Sequence, residues 1–328
     1  MFAEQQVREL RLVEQLVRER RFCEAEKSYE TLVKGHPKFI SARFGLAWIY
    51  LALGKYKEGF GEFEYRLNIV DSLNQWYRKT YDFNKWWDGS SLDGKTILVF
   101  CEQGLGDAIQ FVRYVKKLNG RVIVHAHRPL ASLLDGEVIV GDVGEVTELP
   151  EYDYVCSVMS LPTLLQDFEI SGEQYLWAKE KSVGGVGVVW GGTPGHPQDQ
   201  DPVTNRSIPV DYFRKLDADL VSLQLEDRPD LGKPWFPSLT DGIRDMKDTA
   251  EIMRGLDLII TCDTSTAHLA GALGCPCWLL LPYVSCWRWG VDSDMTPWYD
   301  SVRIFRQQEP GNWDAVFDEV AKQLGDVV

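Results

Sequence analysis

The chain has 328 residues, of which 45% are hydrophobic and 12% aromatic, which is enough apolar material for two or three folded domains and excludes a disordered chain. The formal net charge is -14 at pH 7, and an acidic surface repels phosphate groups at long range. Nucleic acid and anionic membranes are therefore not expected as partners.

The first segment, residues 1–68, is predicted to be helical because it contains an internal repeat. An aromatic residue, a small residue and a second aromatic at Phe22, Ala25 and Tyr29 recur 34 positions later. With Pro37 closing the first unit, this is the tetratricopeptide pattern, in which a small residue lets two antiparallel helices approach closely. A plain helical hairpin is the alternative. About two repeats are visible, so we expect the segment to lean on the next domain or on a partner.

The rest of the chain has the alternating strand and helix patterns of an α/β protein. A connector with Asp-Gly turns covers residues 69–94, and two α/β sets follow, at residues 95–180 and 181–328. Strands that alternate with helices imply parallel β-α-β units. Strands are predicted at 96–100, 121–125, 137–140, 152–157, 186–190, 220–225, 257–262 and 276–281, and helices at 108–118, 129–134, 209–216, 248–256, 265–273 and 313–324.

Two turns from a strand into a helix combine residue types that bind ligands. In the first, Gly104 and Gly106 permit close backbone approach, and Asp107 lies at the start of a helix whose free N–H groups attract anions. The pattern is not G-x-G-x-x-G, so a nicotinamide site is unsupported. A carboxylate at this position also stabilises a helix dipole without any ligand, and both interpretations stay open.

The second turn is rich in hydroxyl groups and follows the strand predicted at 257–262. Thr264, Ser265 and Thr266 and the first amides of the next helix would suit a diphosphate, at the strand end where open α/β sheets bind ligands. The alternative is an Asp or Ser helix cap with a buried histidine, His268, one turn later.

Residues 102–111 (EQGLGDAIQF) resemble the signature of bacterial tetratricopeptide-linked glycosyltransferases related to heptosyltransferases, in glycosyltransferase family nine. The resemblance extends from residue 86 to the C-terminus, in addition to the repeats. Further segments match the same group in order: residues 87–89 (WDG), 160–162 (SLP), 205–209 (NRSIP), 222–224 (SLQ), 263–274 (DTSTAHLAGALG) and 287–289 (WRW).

The resemblance implies a GT-B arrangement, in which two Rossmann-like lobes face each other across a cleft and the C-terminal lobe holds most of the donor. It implies that Asp107 is the general base and that Arg206 neutralises the leaving diphosphate. His268 either donates to a phosphate or braces the turn. The implied donor-binding residues are Gly104, Gly106, Arg206, Gln224, Asp263, Thr264, Ser265, Thr266 and His268.

The implied activity is an inverting transfer of a sugar from a nucleotide-sugar donor to a hydroxyl of a protein or glycan acceptor, which the helical repeats would present. No metal or other cofactor is expected, because Arg206 and a helix dipole can carry the charge. The first set, at 95–180, is short for a Rossmann lobe, so the acceptor side is either trimmed or completed by the repeats. Leu225 and Glu226 depart from the residues expected beside a nucleotide.

Two other functions compete with this one. The first is a non-catalytic nucleotide-sugar-binding or scaffold protein whose repeats recruit a partner. The second is a transferase acting on modified bases in DNA, against which the net charge argues. Among single residues, His125 and His127 are a possible ligand pair or plain strand residues, and His196 lies in a flap or a surface loop. The 287–289 segment either stacks on a base or sugar or packs in the core.

The compartment follows from two further features. No apolar run is long enough to span a bilayer, so no membrane span is expected. The seven cysteines are odd in number and mostly lie in apolar runs, and Cys275 and Cys277 lack a second ligand pair at zinc spacing. This cysteine pattern favours reduced, buried thiols in the cytoplasm.

Overall fold

A computed structural model describes residues 2–69, 71–141, 145 and 148–325. Met1 and residues 326–328, at the ends of the first and last predicted domains, lie outside the described residues. The chain begins with four helices: α1 (Phe2–Arg18), α2 (Phe22–Gly35), α3 (Ile40–Ala52) and α4 (Tyr56–Phe63).

Each of these helices packs on the next one along the chain. Ala25 is fully buried, and a β-carbon at Gly59 would lie 2.7 Å from the Leu51 side chain, so the small residues do permit close helix contacts. The assignment of the segment to the tetratricopeptide class stays a prediction.

The stretch predicted as a connector contains a further helix, α5 (Ser72–Thr80). Asp71 caps it, accepting a hydrogen bond from the Asn74 N–H. The Tyr77 and Tyr81 rings lie 5.1 and 4.2 Å from the Phe100 ring, so the helix covers one face of the following sheet.

The first sheet is four-stranded and wholly parallel, in the order β3-β2-β1-β4. Its helices are shorter than predicted, and the chain continues from the first of them as a 3-10 helix, Val112–Lys117. In chain order the elements are β1 (Thr96–Phe100), α6 (Leu105–Phe111), β2 (Arg121–Ala126), α7 (Arg128–Ala131), β3 (Glu137–Val140), β4 (Tyr154–Ser157) and α8 (Leu161–Leu164).

The second sheet has the order β6-β5-β7-β8-β10-β9, and all its neighbours are parallel except β10 and β9. The predicted helix at 209–216 is instead a 3-10 helix, Val210–Lys215. In chain order the elements are β5 (Val186–Val189), β6 (Leu220–Ser222), α9 (Met246–Arg254), β7 (Leu258–Cys262), α10 (Ser265–Ala272), β8 (Cys277–Leu281), β9 (Met295–Thr296), β10 (Tyr299–Arg306) and α11 (Trp313–Gly325).

The prediction of a mixed α/β protein with parallel sheets is confirmed. We call residues 95–180 the first lobe and residues 181–325 the second lobe. Cys275 and Cys277 are both buried in the core, as predicted. Among the helices that the structure describes, none combines the length and apolar character needed to cross a membrane.

The N-terminal helices contact both lobes. Arg66, just after α4, forms a buried ion pair with Glu102 of the first lobe, with an Nε–Oε1 distance of 3.1 Å. Arg18 forms an ion pair with Asp201 of the second lobe. A single apolar core therefore runs from α3 and α4 through the first lobe into the second.

Candidate functional site

A cavity of about 910 Å³ lies between the two lobes, where strands β1, β5 and β7 end. It is in the range of volumes typical of small-molecule sites. Both turns that the sequence predicts as ligand-binding face this one space. The predicted residues that line the cavity are Gly104, Gly106, Asp107, Arg206, Asp263, Thr264, Ser265, Thr266 and His268.

The first turn connects β1 to α6 and is held by hydrogen bonds within the protein. Gln103 adopts a left-handed backbone with φ of 62°, which is uncommon for a residue other than glycine. Its N–H donates to the Tyr77 hydroxyl at 3.0 Å. The Gly104 N–H donates to Asp107 Oδ2 at 2.9 Å, so this carboxylate helps to cap α6.

The other carboxylate oxygen of Asp107, Oδ1, accepts a hydrogen bond from Arg288 Nη2 across the lobe boundary. The side chain of Asp107 stays 20% exposed. An ionised carboxylate has about four acceptor positions, so each oxygen keeps room for another donor. Asp107 therefore combines a structural role at the start of α6, one of the two interpretations left open by the sequence, with access to the cavity.

The second turn presents hydroxyl groups and backbone amides. Thr264 is the N-cap of α10, and its side chain makes no capping hydrogen bond. Thr264, Ser265 and Thr266 are all partly exposed and line the cavity. The first N–H groups of a helix have no partner within it and lie at the positive end of its dipole. This turn can therefore receive an anion.

Arg206 lies beside that turn. Its Nη1 donates to the Asp263 carbonyl at 2.7 Å, while its buried Nε has no hydrogen-bond partner among the described residues. Its nearest carboxylate is Asp199, with 3.8 Å between Nε and Oδ1. A β-carbon at Gly192 would lie 2.7 Å from Arg206 Nη2, so the loop after β5 passes against the guanidinium.

Two charged residues near Arg206 and Gly192 were not predicted from the sequence. Arg228 is buried, and its Nη1 donates to the Gly192 carbonyl at 2.7 Å and to Ser207 Oγ at 3.1 Å. Asp199 accepts from Ser207 Oγ at 2.7 Å and lies near both arginines. The adjacent glycines after β5, which leave room for side chains to approach, were the available sequence signal.

Burial changes the electrostatics of the second turn. It raises the pKa of Asp263, although Arg206 opposes this shift. It lowers the pKa of His268 well below the usual range, with Arg288 and Arg113 acting in the same direction. At neutral pH the imidazole is therefore uncharged, and it contributes no cation to the cavity.

The contacts of His268 brace the turn. Its Nδ1 is 2.9 Å from the Tyr299 hydroxyl, and its ring stacks on Trp289 with 4.8 Å between centroids. A β-carbon at Gly106 would lie 2.7 Å from His268 Cδ2. A glycine at this position therefore allows the two turns to touch.

Gln224 is predicted as donor-binding, but the structure does not bring it to the cavity. It is 7% exposed, and its Oε1 accepts from the N–H groups of Trp190 and Gly191 at 3.1 and 3.0 Å. Its amide fixes the end of β5 instead. The neighbouring residues Leu225 and Glu226, noted as departures from the family pattern, do line the cavity.

Of the remaining candidates, some line the cavity and others are buried elsewhere in the fold. His196 lines the cavity, and burial together with Arg206 lowers its pKa. His125 is buried in the first sheet, where its Nδ1 is 2.7 Å from the Tyr81 hydroxyl, and no group of three or more metal-ligating side chains was found within the described part of the chain. Trp287 and Trp289 are buried, as the core-packing interpretation predicts.

Comparison with known sequences gives a limited result. No protein-family model matches the chain. It is 26% identical over 331 residues to protein FlbA of Caulobacter vibrioides, an alignment that covers 87% of this chain and 55% of FlbA. The chain thus spans about half the length of the curated relative that it matches.

Solved structures with similar coordinates are glycosyltransferases. The Escherichia coli heptosyltransferase WaaC with ADP matches with a TM-score of 0.47 and 12% identity, over 71% of this chain and 100% of WaaC. A glycosyl transferase of family 9 from Veillonella parvula matches with a TM-score of 0.46 and 15% identity, over 73% and 91%. The dodecameric glycosyltransferase TibC of enterotoxigenic E. coli matches with a TM-score of 0.42 and 14% identity, over 69% and 67%. Scores of this size describe a partial likeness and leave the function to be inferred from the site.

Proposed function

We propose that the chain is a glycosyltransferase that moves a sugar from a nucleotide-sugar donor to a hydroxyl group of a protein or glycan acceptor. One observation supports this proposal above all: a carboxylate, Asp107, and an anion-receiving turn with Arg206 line the same interlobe cavity. The sequence resemblance to family-nine glycosyltransferases, through the segments that supply these residues, points to the same chemistry. The corresponding fold would be a GT-B pair of lobes.

On the donor side, the leaving group is a nucleoside diphosphate. The hydroxyls of Thr264, Ser265 and Thr266 and the first amides of α10 would hold its phosphates, and Arg206 would neutralise the charge that develops as the bond breaks. An arginine fork suits a diphosphate because it offers several N–H donors in one plane. In this proposal no metal is needed for that charge.

On the acceptor side, the hydroxyl oxygen attacks the anomeric carbon as the bond from that carbon to the diphosphate oxygen breaks. The leaving diphosphate takes the bonding electron pair, and Asp107 accepts the hydroxyl proton. A single displacement of this kind inverts the anomeric centre. Asp107 has the acceptor positions and the exposure to the cavity that this step requires.

Donor binding is tested by thermal unfolding with UDP-, GDP-, ADP- and dTDP-sugars. We expect at least one to raise the melting temperature, because a ligand that binds only the folded state stabilises it. Arg206→Ala should weaken that donor about tenfold or more through loss of a charge-assisted contact. Arg214→Ala, an exposed arginine of the same lobe that lies outside the cavity, is the matched control.

Transfer is tested with Asp107→Asn, which keeps the size of the side chain and an acceptor for the Gly104 N–H. We expect this variant to bind the donor as the wild type does and to lose transfer. Failure of every nucleotide sugar to shift the melting temperature would overturn the proposal.

A non-catalytic nucleotide-sugar-binding or scaffold protein is the second candidate. It is favoured by the contacts of Asp107, which caps α6 and pairs with Arg288 and therefore has a structural role even without catalysis. In that case a donor would bind, but neither the wild type nor Asp107→Asn would transfer sugar to any acceptor.

A further inference from the structure

Arg288 is a charged residue on the cavity wall to which the proposed reaction gives no task. Its side chain is only 9% exposed, and it makes three contacts through different nitrogens. Nη2 donates to Asp107 Oδ1, Nε donates to Gln110 Oε1 at 2.6 Å, and Nη1 donates to Cys286 Sγ at 3.0 Å.

These contacts join the two lobes. Asp107 and Gln110 lie three residues apart on α6 and so share one face of that helix, while Arg288 comes from the second lobe. Because two neighbouring nitrogens of one planar guanidinium reach both side chains, the plane of Arg288 is fixed relative to α6. The orientation of the Asp107 carboxylate is fixed with it.

The backbone that presents Arg288 is equally well anchored. Trp287 packs on Phe60 of the N-terminal helices, with 6.2 Å between ring centroids, and Trp289 stacks on His268. The arginine therefore has little freedom to swing toward a ligand. Its buried position and its three contacts also make it a poor candidate for binding the donor phosphates.

We propose that Arg288 is a positioning residue for Asp107, so that the lobe that binds the donor also orients the base in the acceptor lobe. This inference rests on the proposed function, because it assigns Arg288 a task only if Asp107 accepts a proton. It also makes the orientation of the base depend on contact between the lobes, because Arg288 holds Asp107 only while the second lobe touches α6.

Several charged or titratable groups line the cavity with Asp107. Arg288 approaches from the second lobe, Asp263 and the uncharged His268 belong to the second turn, and Arg206 lies on the wall of the same cavity. Arg288 is the one of these four groups that contacts the Asp107 carboxylate directly. Removing it should therefore change the geometry of the base.

The test is the steady-state kinetics of transfer by the full chain, with the donor identified by thermal unfolding. We expect Arg288→Met to lower kcat about 100-fold, the size of effect that follows from a misplaced catalytic group. The KM for the donor should change little, because Arg288 holds the base and not the phosphates. The donor-induced shift in melting temperature should stay the same.

Arg288→Lys keeps the charge but loses the planar fork, so it should restore only part of kcat. It also keeps the test informative if Arg288→Met does not fold. The matched control is Arg113→Met, which removes another arginine that joins the lobes, through a bond to the carbonyl of Trp298 at 3.0 Å. This control should lower stability and reduce kcat much less than Arg288→Met does.

The outcomes separate the two proposals. If the wild type transfers sugar and Arg288→Met has an unchanged kcat, the role of Arg288 is wrong and the proposed function stands. If the wild type binds or transfers no nucleotide sugar, the proposed function fails and the role of Arg288 fails with it.

Discussion

The two turns that face the cavity both connect a strand to a helix, but they differ in how many hydrogen bonds they make within the protein. The first, residues 101–107, is committed to contacts within the protein: Gln103 bonds Tyr77, and Asp107 bonds both Gly104 and Arg288. In the second, Thr264 makes no capping bond and lines the cavity. A strand-to-helix turn can therefore either hold one side chain in place or present a surface to a ligand.

This contrast indicates that the turn in each lobe contributes to a different property of the protein. The committed turn should matter most for stability and for the orientation of Asp107, whereas the open turn should matter most for ligand affinity. Substitutions in each turn, measured for both properties, can break or sharpen this comparison.

The largest effect is expected where the first turn meets the N-terminal helices. Arg66→Met leaves Glu102, which is 2% exposed, as a buried carboxylate without its counter-charge. Breaking a buried pair in this way costs about 3–5 kcal/mol of the free energy of unfolding, measurable by urea denaturation. Arg121→Met, which removes an exposed ion pair with Glu137, should change the midpoint little. An equally small effect of Arg66→Met would show that the first turn does not depend on those helices.

The next effect concerns the contact between the turns. Gly106→Ala places a β-carbon 2.7 Å from His268 Cδ2, and relieving such overpacking costs about 1–3 kcal/mol. Gly61→Ala is the matched control, because nothing lies within 4 Å of a β-carbon there and alanine favours the helix by up to about 1 kcal/mol. Opposite signs for the two variants in thermal unfolding are expected. If both stabilise the chain, the turns are not in tight contact.

The pH dependence of stability isolates the second turn. Burial, with Arg288 and Arg113, keeps the pKa of His268 well below 6.5, so below that pH the unfolded chain binds a proton that the folded chain does not. Folding stability due to this histidine is complete above pH 6.5 and falls as the pH drops. The destabilisation caused by His268→Gln should therefore be about 1–2 kcal/mol smaller at pH 5 than at pH 7. A pH-independent difference would contradict the burial of a neutral imidazole.

The smallest change in stability is expected in the open turn. Thr264→Val removes a hydroxyl that caps nothing, so the free energy of unfolding should stay within about 0.5 kcal/mol. Donor affinity should fall about threefold to tenfold, which is the typical loss for one hydrogen bond. Thr31→Val, which removes a hydroxyl from an exposed face of α2, is the control. Unchanged donor affinity would remove Thr264 from the site.

The sequence predicted the two turns because their signals are local. A buried strand such as β7 is a short apolar run, and the helix after it begins at hydroxyl residues, so both ends can be located from a few neighbouring positions. The alternation of such units also predicted two parallel sheets. In contrast, β10 was missed, because charged residues such as Asp300 and Arg303 interrupt its apolar run.

Contacts between distant positions could not be predicted from the same signals. Arg288 and Asp107 are 181 residues apart in the chain, and nothing in either local pattern specifies the other. Gln224 shows the converse case: the family resemblance implied a ligand contact, whereas its amide accepts hydrogen bonds from the backbone at the end of the neighbouring strand. A polar residue near a strand end can contact either a ligand or the backbone, and the packing of the folded protein determines which of the two it does.

The N-terminal helices act as a brace across the cleft. Arg66 anchors them to the first lobe, Arg18 ties them to Asp201, and Arg20 Nη2 donates to the Val291 carbonyl at 2.7 Å. A wide hinge motion of the lobes would have to break these ties. Exchange of any ligand in the cavity is therefore expected to proceed by local rearrangement of the loop at 191–205. A protein shortened to its two lobes would also expose Trp287 and the apolar surface around it. It should therefore precipitate rather than show a wider hinge motion.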